Sequence, residues 1–202
     1  MLALSRESFD YVPYYCEENV WRLLARPELA GLETWAVTVF PASQGIHTVD
    51  RVALCSQRAG RPRDGLVFWD YHVYAIVRDG LSDFVLDFDT SLPFATPAPR
   101  HFAATYPWAV DPGSFPVERR SDPRFEPLFR VMPGRDYVDR FSSDRGHMRL
   151  PDGGWTAPPP PWPCPAGVPD KAWPLAKIRS ADTEGPGDLL DLPSFGAHFG
   201  PL

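Results

Sequence analysis

The feature that most constrains this chain is its proline, 25 of 202 residues, more than twice the share of about 5% usual in globular proteins. Proline fixes φ and carries no backbone donor, so it is kept out of helix interiors and central strands. Nine prolines fall between Pro151 and Pro174, in the company of Trp155, Trp162 and Trp173. Three free indoles would expose a large apolar area. The stretch is therefore expected to be an extended segment, pinned to the body by its tryptophans. Pro158 to Pro163 also fits a polyproline II ligand for an SH3 or WW domain, although the tryptophan within it favours packing.

The remainder is rich enough to build a core, with 44% hydrophobic and 13% aromatic residues, and the length suggests a single domain, 1–202. A net charge of −6 disfavours nucleic acid or an anionic membrane as the main partner, since both need a basic footprint. No apolar run approaches the roughly 18 residues that span a bilayer. Met1 to Asp10 lacks the basic and apolar regions of a signal peptide. Cys16, Cys55 and Cys164 are too few, and odd in number, for a disulfide framework. A reducing compartment is expected: the cytoplasm, and the nucleus as well in a eukaryotic source. A monomer is the default.

Few helices and a meandering sheet predict an α+β fold. Val20, Leu23 and Leu24 follow the spacing of one buried helical face, and Arg26-Pro27 ends that helix. Thr34 to Phe40 reads as a strand and Val52 to Gln57 as a second. The best strand pair is Leu66 to Val77 with Phe84 to Thr90, turning at Asp79-Gly80. Pro93 to Pro127 reads as loop, Asp136 to Phe141 as a short helix, and Leu189 to Phe199 as a closing amphipathic helix.

Cys16 falls at the start of the first helix, where the macrodipole favours a thiolate. A nucleophilic thiolate needs a histidine to exchange its proton and a carboxylate to orient that histidine. His72 and the Asp87/Asp89 pair supply both types. With a two-residue turn at Asp79-Gly80, paired numbers sum to 159 and His72 faces Asp87; a longer loop would bring Asp89 there instead. The alternatives are a packed core cysteine and a structural strand histidine. Cys55 and Cys164 fit packing better than chemistry. His47, His101, His147 and His198 show no metal spacing, so neither metal nor organic cofactor is expected.

Tyr15-Cys16-Glu17-Glu18-Asn19-Val20-Trp21, Trp69-Asp70-Tyr71-His72-Val73 and Asp87-Phe88-Asp89-Thr90-Ser91-Leu92-Pro93-Phe94 resemble blocks of the protein N-terminal glutamine amidohydrolase family. Phe141 to Met148, Pro158 to Cys164, and Phe195, Phe199 and Gly200 continue the resemblance in order. It implies a papain- or transglutaminase-like core and a triad of Cys16, His72 and Asp87, acting on proteins or peptides with a free N-terminal glutamine and linked to N-degron pathways. Tyr15, Glu17, Glu18, Asp70 and Asp144 are the candidate substrate contacts. The chain departs from the pattern around Gln44 to Arg63 and Thr96 to Asp122. Rival readings are a deamidase of an internal glutamine, a papain-like protease, and an inactive proline-rich interaction module.

Overall fold

A computed structural model describes residues 4–42, 51–111, 113 and 122–199. His47, Gly200 and parts of the two divergent loops lie outside them. In chain order the elements are α1 (Cys16–Leu24), β1 (Glu33–Pro41), β2 (Val52–Leu54), β3 (Val67–Trp69), β4 (His72–Asp79), β5 (Ser82–Leu86) and β6 (Ala95–Pro97). They continue with α2 (Ala98–Thr105), α3 (Pro107–Val110), β7 (Pro127–Pro133), α4 (Gly134–Arg140), β8 (Phe141–Ser142) and β9 (Trp173–Pro174). The last are α5 (Leu175–Ile178), β10 (Asp188–Asp191) and α6 (Leu192–Phe199).

The architecture is mixed α+β around an antiparallel sheet in the order β10-β7-β1-β4-β5-β6. β1 shows why the sheet sits in the middle. Trp35, Val37 and Val39 enter one core and Ala36 and Phe40 the other, as the period of two requires for a strand covered on both faces. Val20 and Leu23 of α1 and Tyr137 of α4 cover the first face. Ala98 and Phe102 of α2 and Phe195 and Phe199 of α6 cover the second. Among the described residues, no helix is long and apolar enough to cross a membrane.

Four expectations are corrected. Leu66 to Val77 is two strands, β3 and β4, interrupted at Asp70-Tyr71. The hairpin turns at Gly80-Leu81, since Asp79 pairs with Ser82. Gly80, at φ +62°, takes the first central position, the Gly-first pattern of a type II′ turn. Among its described residues, Pro93 to Pro127 holds β6, α2 and α3 where loop was expected. Pro99 and Pro107 sit in the first turns of the two helices, where a missing N–H costs nothing. Leu189 and Leu190 belong to β10, opposite Arg130 and Phe129, and the closing helix starts only at Leu192.

The proline segment is tied to α1 through a buried charge pair. Buried Arg145 donates from Nε and Nη2 to both oxygens of Glu18, each at 2.8 Å, and to the carbonyls of Pro160 and Trp162. Trp162 Nε1 also donates to Glu18, at 2.8 Å. Arg145 adopts φ +56°, a left-handed conformation that a non-glycine residue takes only where its surroundings hold it. Trp173 is buried in the α1-side core, whereas Trp155 lies under the Arg149 guanidinium. Cys164 is exposed, so packing does not account for it.

Candidate active site

Cys16 is the first residue of α1 and His72 the first of β4, and the two elements pack directly together. Cys16 and His72 line one cleft of about 530 Å³, whose walls include Tyr11, Trp69, Asp70, Tyr71, Asp89 and His147. The backbone amide of Val73, next to His72, reaches the Cys16 sulfur and favours its thiolate. That amide is outweighed. Burial, then the charges of Glu17 and Asp89, push the thiol well above its usual range. The pull of the helix terminus towards a thiolate is thus opposed by burial and by neighbouring carboxylates, and a base is needed to take the proton.

His72, on the wall of the same cleft, is the candidate for that base. It is buried, and its Nε2 lies 2.9 Å from Asp87 Oδ1. With Nε2–H donating to the carboxylate, Nδ1 is the basic nitrogen. Burial alone would lower the His72 pKa, but the charge and hydrogen bond of Asp87, with Asp89 and Glu17 behind, raise it. Asp87 is fully buried. Burial would raise its pKa, yet His72 and His101 hold it well below the usual carboxylate range.

The contact between His72 and Asp87 does not arise from the expected register. Paired numbers in the hairpin sum to 161, which extended would place Asp89 opposite His72. Strand β5 instead ends at Leu86. The chain then bends, and Asp89 N–H donates to Asp87 Oδ1 at 2.9 Å. This Asx-type bond fixes Asp87 against His72. Asp89 is taken by the Tyr11 hydroxyl at 2.5 Å. Ligand atoms of His72, Asp87 and Asp89 lie within 4.8 Å of one another, so they are the described residues that could hold a metal. Their hydrogen bonds already engage them with each other and with Tyr11.

The five candidate substrate contacts divide. Glu17 is buried beside the sulfur. Its Oε2 accepts from the Tyr71 hydroxyl at 3.0 Å and from the Cys16 thiol at 3.6 Å, while Oε1 has no hydrogen-bond partner and lies 3.6 Å from His147 Nε2. Burial pushes the Glu17 carboxyl up to about 7. Asp70 lines the cleft and pairs with Arg179 at 3.2 Å. Glu18 is spent on Arg145 and Trp162, and Tyr15 is buried with its hydroxyl on the Ala157 carbonyl at 3.1 Å. Asp144 lines a neighbouring cavity that shares the His147 and Arg179 walls. Sequence reasoning passed over two histidines here. His147 faces the cleft from a 3₁₀ turn (Gly146–Met148), where no periodicity marks it. His101 stands behind Asp87, on a helix read as loop.

A histidine that lines the same cleft as a helix-leading cysteine, with a buried aspartate behind it, is equipment that would suit a thiol-dependent hydrolase of amides. Comparison with known proteins narrows that class. Residues 11–199 match the family model described as N-terminal glutamine amidase. The chain is 36% identical over 197 residues to the protein N-terminal glutamine amidohydrolase of Drosophila melanogaster, covering 94% of this chain and 88% of the relative. It is 36% identical over 201 residues to that of Drosophila grimshawi, with the same coverage. For Drosophila erecta the identity is 39% over 161 residues, 76% of this chain and 70% of the relative. The chain belongs to the N-terminal glutamine amidase family.

Proposed function

We propose that this protein hydrolyses the side-chain amide of N-terminal glutamine in proteins or peptides, releasing ammonia and leaving N-terminal glutamate, with Cys16, His72 and Asp87 as its catalytic residues. The observation that carries the reading is His72 on the wall of the cleft that Cys16 also lines, with buried Asp87 behind it at 2.9 Å. The helix bearing the nucleophile, laid against an antiparallel sheet bearing the base, supports a papain- or transglutaminase-like core.

The steps follow from the groups present. His72 Nδ1 takes the Cys16 proton, and the sulfur attacks the glutamine δ-carbon. Backbone N–H groups at the start of α1 face the developing oxyanion. The imidazolium, stabilised by Asp87, protonates the leaving nitrogen; the C–N bond breaks, ammonia departs and a thioester remains. Water then gives its proton to His72 and adds to the thioester. Glutamate leaves as the thiol is restored. Selection for a free α-amine is supported by Asp70 on the cleft wall.

The test is a panel of three peptides: one beginning with glutamine, its N-acetylated copy, and one with glutamine only inside. Ammonia release and the amide-to-acid mass change on the first alone are the expected result. Conversion of the acetylated or internal glutamine would favour a deamidase of internal residues. No conversion of any peptide would contradict the proposal.

A further inference from the structure

Asp87 presents a problem of orientation. It lies one residue beyond the end of β5, so no ladder aims its side chain. Oδ1 accepts from His72 Nε2 and Asp89 N–H. Oδ2 faces one group, His101 Nε2, at 3.4 Å. His101 projects from α2, is fully buried, and rests against Tyr74 with ring centroids 5.4 Å apart. Its Nδ1 has no hydrogen-bond partner.

A neutral imidazole has one donor and one acceptor nitrogen. The tautomer with its proton on Nε2 satisfies the carboxylate and leaves only an acceptor orphaned. The other tautomer would set a lone pair against Asp87 and bury an orphan N–H. Packing does not need that arrangement, because α2 is docked independently. Phe102 and Ala98 fill the core, Thr105 O accepts from Cys55 N–H at 3.0 Å, and Ala104 O accepts from Ser56 Oγ at 3.0 Å.

Resting on the catalytic reading above, we propose that His101 is a positioning residue: its Nε2–H holds Asp87 Oδ2 and thereby keeps Oδ1 aligned on His72. A carboxylate held at one oxygen only can swing about its terminal torsion, which is a soft one. Held at both, it meets the imidazolium already aligned when the Cys16 proton transfers. His101 does not line the cleft, so its loss acts on turnover and leaves substrate binding alone.

The experiment is a mutant cycle on the full chain with an N-terminal glutamine peptide, folding being checked by circular dichroism. His101→Leu lowers kcat by about tenfold or more, a part of the roughly 10²–10⁴-fold that a placed acid–base residue contributes, with KM unchanged. His101→Gln, which keeps a donor, recovers most of that loss. In an Asp87→Asn background, His101→Leu adds nothing, since the residue acts through a carboxylate no longer there. Full kcat in His101→Leu, an equal loss in Leu and Gln variants that both fold, or additive losses in the cycle would overturn the proposal. Should the Leu variant not fold, His101→Phe takes its place. Unaltered kcat in Asp87→Asn itself would instead indict the catalytic reading.

Discussion

At the scale of single residues, the site depends on charges kept where burial opposes them. Glu17 is the clearest case, with its carboxyl pushed up to about 7 from an ordinary 4.5. Between those values the folded protein holds a proton that the unfolded chain has released, so this residue makes the protein less stable as pH rises through that window. Glu17→Gln cannot ionise. Relative to the parent it gains stability from pH 4.5 upward, levelling off above pH 7 at about 3 kcal/mol. Urea unfolding of both proteins at pH 5 and pH 8 measures it, and a difference that does not grow with pH would count against the buried carboxyl. The choice of Asp87 over Asp89 rested on a register that the structure shifts by two; Cys16 and His72 were legible as candidates because they are residue types that thiol chemistry requires. His101 was not, because Pro97 and Pro99 flank the start of its helix and hid a helix behind a loop signal.

At the scale of elements, the Glu18–Arg145 pair ties α1 to the proline segment across 127 residues of chain. Removing one member of a buried ion pair leaves the other charge unpaired, which costs about 3–5 kcal/mol. Arg145→Met is therefore expected to unfold at markedly lower denaturant. The segment 151–174 should also become the first site of limited proteolysis, because its carbonyl anchors at Pro160 and Trp162 go with the guanidinium. A variant with unchanged midpoint and cleavage pattern would show that the tryptophans suffice. The hairpin shows where elements resisted reading. Asp79-Gly80 has the composition of a turn, but Gly80 satisfies a two-residue turn equally well as its first residue, and that choice shifts the register by two. The His72–Asp87 contact survives the shift because β5 stops at Leu86 and Asp87 folds back on its own Asx-type bond, which depends on local hydrogen bonding and not on strand periodicity.

At the scale of the whole molecule, the sheet divides two cores, and the cleft opens where α1 and β4 begin, at Cys16 and His72. The sequence disclosed β1 and α1 well, since both carry strong periodic patterns. It did not disclose α2 and α3, whose prolines begin helices, nor the clamp on the proline segment, since Arg145 and Glu18 are far apart in the chain and carry no local signal. The starts of α1 and β4 set Cys16 and His72 on the walls of one cleft, and the proposed reaction depends on that placement. Ammonia release from a glutamine-initiated peptide, measured for Cys16→Ala beside the parent at equal concentration and with matching circular dichroism, tests it most directly. Loss of turnover by several orders of magnitude in the folded variant is the expected result. Ammonia release at the parent rate would contradict the account.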